Sequence, residues 1–133
     1  MLDFPADLHY LIEHQVWARL HADGTATVGI TALGIRLAGE IYMCRPKGVG
    51  QAAEQGRSVA VVELAKSIVS VKSPVSGTVV EVNASLCDEK GCGAVNRDPL
   101  GDGWLFALRP DDPAEIDALM SPEEYGRWVS AGT

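Results

Sequence analysis

Apolar and polar positions alternate in short runs along this chain, and Gly, Pro, Asn and Asp separate the runs. Runs of that length and period predict β-strands rather than long helices. Residues 17–20 and 25–30 flank His21-Ala22-Asp23-Gly24, which predicts a hairpin, because Gly accepts the positive φ of a tight turn. Thr31 is the expected N-cap of a short helix over 32–38, and Gly39 its stop. Further strands are expected over 40–44, 58–64, 68–71, 78–82 and 104–109, with turns at Arg45-Pro46-Lys47-Gly48 and Ser73-Pro74-Val75-Ser76-Gly77. After Arg109 the spacing becomes helical. Asp112 can cap a helix whose first position is Pro113, with Ile116, Leu119 and Met120 as its buried stripe. Ser121-Pro122 starts a second helix edged by Tyr125, Trp128 and Val129. The expected fold is mainly β, a small barrel or sandwich with a short internal helix and C-terminal helices on its outside. It reads as a single domain over 1–133, with a β core over about 9–109, a central hairpin over 58–82 and a helical segment over 112–130.

Composition narrows the class of partner. The chain has 133 residues, enough for one core that buries roughly two-thirds of the unfolded surface. A formal net charge of −7 argues against nucleic acid or an anionic membrane as partner, and suits basic patches on larger proteins. No apolar run approaches the roughly 18 residues of a membrane span, and the N-terminus lacks a basic start and an apolar stretch. A cytoplasmic, monomeric protein is expected. Three cysteines do not make a disulfide scaffold, and reduced thiols are the default in that compartment.

No catalytic motif is present: there is no P-loop, no Gly-x-Ser-x-Gly elbow and no His-Glu-x-x-His. His9, His14 and His21 are scattered and read as structural or surface residues. Cys44, Cys87 and Cys92 would need a fourth ligand for zinc that the sequence does not nominate, so neither a metal nor a catalytic residue is expected. Cys44 reads as a buried small hydrophobe. Cys87 and Cys92 flank a Gly-containing loop and could close a disulfide if it folds back. The informative stretch is 58–82, SVAVVELAKSIVSVKSPVSGTVVEV, in which two apolar strands flank Leu64-Ala65-Lys66-Ser67. A lysine at such a bend projects outward on a rigid base, the geometry of a swinging arm for a covalently attached cofactor. By itself the pattern is also that of an ordinary exposed lysine on a turn.

The stretch resembles lipoyl carriers, and most closely the glycine cleavage H-protein family. Glu63-Leu64-Ala65-Lys66, then seven residues, then Pro74-Val75-Ser76-Gly77 follows that family's pattern. So do Asp23 to Thr31 as its first hairpin, Val79-Val80-Glu81-Val82-Asn83, Asn96-Arg97-Asp98-Pro99 and Gly101-Asp102-Gly103-Trp104-Leu105. The resemblance implies a barrel-sandwich hybrid of the lipoyl/biotinyl-carrier type, with lipoate covalently attached to Lys66 by a lipoate ligase or transferase. Glu63 is a candidate recognition contact for that enzyme. Lys72, the rival lysine, falls inside the second strand. Biotin is a second choice, because biotin carriers place methionines where Ala65 and Ser67 stand. On this reading the chain is not an enzyme but a carrier that works with partner enzymes.

Departures from the pattern bear on the cargo. The H-protein family shelters a cationic aminomethyl group in a cleft with a serine and a glutamate of a Ser-His-Glu-Trp element, and with an aspartate four residues after the lipoyl lysine. Aligned on Trp17, those positions hold His14, Val16 and Ser70. An unpaired buried cation is costly, so such a cleft is expected to hold aminomethyl poorly. Glu13 stands out of register and is not counted as a replacement. Residues 33–46 and the Glu63–Ser67 arm resemble the lipoate-binding proteins of bacterial sulfur oxidation more than the cleavage H proteins, and that branch is the expected assignment. That branch implies sulfur-bound intermediates carried to and from a heterodisulfide-reductase-like complex, with Cys87 and Cys92 as candidate redox thiols able to exchange with the arm. The alternative is a glycine cleavage H protein carrying aminomethyl, and a more remote one an unmodified structural or interaction module.

Overall fold

The computed structural model describes residues 7–84, 86, 92–112 and 114–132. Among them, strands form two antiparallel sheets. The larger runs, in spatial order, β1 (Leu8–Leu11), β2 (Val16–Leu20), β3 (Ala26–Ile30), β9 (Phe106–Pro110), β8 (Gly77–Val82) and β5 (Ala52–Ala53). The smaller is β4 (Met43–Pro46), β6 (Ser58–Glu63) and β7 (Ile68–Lys72), with β6 in the middle. Strand periodicity divides the side chains between two cores. Val16 and Ala18 of β2 join Val28, Val59, Val62, Val71, Val79 and Leu108 in the principal core. Trp17 points the opposite way, toward Leu8, Tyr10, Leu33, Tyr125 and Val129.

Local chemistry fixes the turns and helix ends. Gly24 closes the β2–β3 hairpin at φ +89°. There the Asp23 carboxylate accepts from the Thr25 hydroxyl (2.6 Å) and N–H (2.9 Å), which holds its pKa below the ordinary aspartate value. Helix α1 (Ala32–Ala38) is capped by the Thr31 hydroxyl, which accepts from the Gly34 N–H at 2.9 Å. The Gly39 N–H closes its other end on the Ile35 carbonyl. Helix α3 (Ala114–Asp117) is capped by Asp112, whose carboxylate accepts from the Ala114 N–H at 3.0 Å. Helix α4 (Pro122–Gly132) starts in a reciprocal box: Ser121 accepts from the Glu124 N–H, and Glu124 accepts from the Ser121 N–H, both at 3.2 Å. It packs outside the larger sheet, where Tyr125 stacks on Tyr10 with ring centroids 4.1 Å apart.

Two expected strands are displaced. The segment expected at 40–44 enters register at Met43, with the Tyr42 N–H already donating to the Glu63 carbonyl at 2.8 Å, and Ile41 stays out because its N–H and C=O are both taken by the Asn96 side-chain amide at 2.9 Å. The segment expected from Trp104 pairs from Phe106. The Trp104 N–H closes a turn on Gly101, and its carbonyl accepts from Asn83. The helix α2 (Gly93–Arg97), β1 and β5 were not foreseen. Each is only two to five residues long, too short for its pattern to stand out in the sequence.

The late motif elements are structural. Asn96 joins α2 to Ile41, the Asp98 carboxylate accepts from the Asp102 N–H at 3.0 Å, and the Pro99 carbonyl accepts the Trp17 indole N–H at 3.0 Å. The Pro74-Val75-Ser76-Gly77 turn carries the chain from one sheet to the other. Ser73 and Val75 are fully buried there, and Gly77 lies so close to β9 that a Cβ would stand 2.3 Å from the Arg109 carbonyl oxygen.

Candidate functional site

Strands β6 and β7 pair from Ser58 opposite Lys72 to Glu63 opposite Ile68, leaving residues 64–67 as the bend. The Leu64 N–H donates to the Ser67 carbonyl at 2.9 Å and closes it. Lys66 sits exposed in this bend. Val59, Val62 and Val71 anchor the inner face of the hairpin in the principal core, so the root of Lys66 is fixed while its amine is free to move. Lys72 stands at the opposite end of the hairpin, half-buried and in backbone register with Ser58 rather than in the bend. Glu63 lies at the foot of the bend. Its carboxylate is 3.6 Å from the Arg45 guanidinium, a loose and solvated pair that leaves it available to a partner.

Beside the hairpin lies a cleft of about 380 Å³. Val62, Val69, Ser70 and Val71 form one wall, Leu37 and Ala38 of α1 another, and Ile41 contributes beneath them. Glu13, His14 and Gln15 close the third side. The lining is mostly apolar, suited to a hydrocarbon thread, with the Glu13 carboxylate as its acidic group. Apolar surface continues outward from it: Leu37 is 73% exposed, and Ile68, next to the bend, 68%.

Gln15 sets the position of the third side. It stands in the left-handed region at φ +54°, an uncommon conformation for a non-glycine residue. Its carbonyl accepts from the Thr31 N–H at 2.9 Å. Its side-chain oxygen accepts from the Thr31 hydroxyl at 2.7 Å and from the Tyr125 hydroxyl. The 3₁₀ turn Ile12–His14 and this reversal carry Glu13 and His14 to the cleft.

The residues aligned with the cleft-lining pattern therefore part company. His14 and Ser70 line the cleft, whereas Val16 is 0% exposed in the principal core. Glu13, set aside on register as a replacement carboxylate, lines the cleft as well, carried there by the reversal at Gln15, a backbone feature that spacing does not reveal. Sequence reasoning also missed Gln15, Leu37 and Ile41, whose periodicity is that of ordinary core or helix-face residues.

The cysteines are dissimilar. Cys44 is buried and free, and burial pushes its thiol up to about 12, so it is a poor nucleophile. Cys92 is disulfide-bonded and 1% exposed at the start of α2, rather than the reduced thiol that a reducing compartment would set as default. Cys87 lies outside the described residues. Among the described residues no group of His, Cys, Asp and Glu is arranged to hold a metal. His21 bonds the Thr27 hydroxyl at 2.6 Å on the surface, and His9 lies half-buried on β1. No described helix is long and apolar enough to cross a membrane.

Comparison with known proteins places this architecture. The family model described as glycine cleavage H-protein matches residues 8–131. The chain is 41% identical over 129 residues to a glycine cleavage system H protein of Xanthomonas euvesicatoria pv. vesicatoria, covering 97% of this chain and 96% of that protein. It is 40% identical over the same length, with the same coverage, to that of Xanthomonas oryzae pv. oryzae. The crystal structure of a glycine cleavage system H protein from Mycobacterium marinum superposes with a TM-score of 0.81 at 27% identity, covering 95% of this chain and 98% of that one. The barrel-sandwich fold of two antiparallel sheets is thus shared as well as the sequence. The chain belongs to the glycine cleavage H-protein family, whose members are lipoyl carriers that act with partner enzymes and are not themselves catalysts.

Proposed function

We propose that this chain is a lipoyl carrier modified on Lys66, and that it serves glycine cleavage as its named relatives do, carrying an aminomethyl group between partner enzymes. The observation that carries the reading is Lys66 at the exposed apex of a hairpin whose flank is the wall of an apolar cleft. A dithiolane on that lysine supplies the redox chemistry. The protein holds the root of the arm, offers a slot beside it, and presents Glu63 at the foot of the bend to a lipoate ligase or transferase. Glu13 gives the cleft a carboxylate toward a cationic cargo. A cytoplasmic monomer meeting basic faces of its partners fits the charge of −7.

A second reading is favoured by specific observations. Ser70 stands in the cleft where the family pattern has aspartate, and Val16 is sealed in the core. Such a cleft suits uncharged, sulfur-bound intermediates, exchanged with a heterodisulfide-reductase-like complex. On that reading Cys87 and Cys92 are the redox cysteines that exchange with the arm once the bond at Cys92 is reduced.

Intact mass after co-expression with lipoylating enzymes tests the carrier. An increment of one lipoyl group, absent in Lys66→Ala, is expected. An unmodified chain, or modification on Lys72, overturns the reading. Reconstitution with glycine decarboxylase and its partners separates the cargoes. Aminomethyl loading supports the first. Failure to load, with sulfur transfer that is lost in Cys87→Ser/Cys92→Ser while lipoylation persists, supports the second.

A further inference from the structure

One acceptor atom ties two walls of the cleft to the C-terminal helix. Gln15 lines the cleft, directly after Glu13 and His14 in the chain. A side-chain amide oxygen has two lone pairs, and two hydroxyls donate to that of Gln15. One is Thr31, at 2.7 Å, and the other is Tyr125 of α4. The Thr31 hydroxyl also accepts from the Gly34 N–H at 2.9 Å, which leaves its own proton for Gln15. Gly34 lies so close that a Cβ on it would stand 3.0 Å from the Gln15 Cβ. Leu37 and Ala38, three and four residues further along α1, share that helix face and form the second wall. Tyr125 itself is 3% exposed and held by its stack on Tyr10, so its hydroxyl donates from a fixed place.

We propose that Tyr125 is a positioning residue for the cleft, acting through the Gln15 amide to set the spacing of its Glu13–His14 and Leu37–Ala38 walls. Gln15 stands at φ +54°, a conformation that persists in a non-glycine residue only where its surroundings hold it. The two hydroxyls and the Thr31 N–H are those surroundings. Without the Tyr125 hydroxyl the Gln15 side chain is held on one side only, the turn before it relaxes, and the slot fits a threaded arm less closely. Attachment at Lys66 does not pass through this network, because that bend is closed by its own Leu64–Ser67 hydrogen bond. Sheltering of the arm is thereby separated from its installation. That the cleft receives the arm rests on the carrier reading; the positioning of its walls does not.

Amide hydrogen exchange on the full chain, expressed without lipoate, reads the positioning. Tyr125→Phe keeps the ring and its stack but loses the hydroxyl. In it the Thr31 N–H, donor to the Gln15 carbonyl, should exchange about fivefold faster or more, with Val28 and Leu108 amides unchanged. Gln15→Asn tolerates the left-handed backbone but is one methylene too short to meet both hydroxyls. It should speed Thr31 exchange likewise, and Tyr125→Phe added to it should change nothing further. In lipoylated protein with the arm reduced, alkylation by iodoacetamide is read as mass on the peptide carrying Lys66. It should run about fivefold faster in Tyr125→Phe, while the rate of lipoylation stays at the wild-type value. Unaltered Thr31 exchange, acceleration that includes Val28 and Leu108, effects of the two substitutions that add, or unaltered alkylation of the arm overturns the proposal. If Lys66 stays bare, the carrier reading fails on its own, and Thr31 exchange still decides whether Tyr125 positions the wall.

Discussion

At the scale of single residues, the chemistry of this chain divides into what a local pattern can announce and what only the fold creates. Lys66 belongs to the first kind: a lysine in a short bend between two apolar strands is determined by its neighbours. Glu13 belongs to the second. Its place in the cleft follows from the left-handed backbone at Gln15 and from hydrogen bonds to Thr31 and Tyr125, residues that spacing does not connect to it. Gly77 lies between the two: the motif singled it out, and the structure supplies the reason. A methyl group there meets the Arg109 carbonyl, a backbone atom that cannot rotate aside. Gly77→Ala should destabilise the protein by about 1–3 kcal/mol in urea unfolding. A change below about 0.5 kcal/mol, the scatter of ordinary surface substitutions, would show that the turn relaxes freely.

Among elements, those whose ends carry their own chemistry were legible and those positioned from afar were not. The bounds of α1 follow directly from Thr31 and Gly39. The start of β4 does not, because Asn96, 55 residues away in sequence, occupies the Ile41 backbone. The N-terminus of α4 allows a pH test. The Ser121 backbone and then side chain hydrogen-bond the Glu124 carboxylate and lower its pKa from the ordinary 4.5. A carboxylate depressed in the folded state contributes stability above its unfolded value, and that contribution is lost as pH falls through the lower folded value. Stability of the wild-type protein should therefore fall on acidification below about 4.5 more than that of Glu124→Gln, measured by thermal unfolding across pH. Parallel curves for the two proteins would remove Glu124 from the account.

For the whole molecule, the excess of acidic side chains acts on encounter rather than on fold. A net charge of −7 attracts a basic partner over a distance set by the Debye length, about 10 Å at 0.1 M salt. Association with the lipoylating enzyme should slow as salt rises from about 0.05 to 0.5 M, with little change in dissociation, in stopped-flow measurements. An on-rate indifferent to salt would leave recognition to the bend and its apolar surroundings alone. The mainly β, two-sheet architecture was readable because strand periodicity and turn residues are local signals. The cleft was not, because its walls come from a turn, a helix and a hairpin that meet only after folding.

The hairpin that carries Lys66 is not a free-standing unit. Its inward valines complete the principal core, and two strands on their own are at best marginally stable in water. An enzyme that recognises this bend by shape consequently finds it only on molecules that have finished folding. Under the proposed modification of Lys66, attachment of the prosthetic group would double as a quality check: misfolded copies would stay blank and drop out of the working pool, and a destabilising lesion far from residue 66 would show first as incomplete loading.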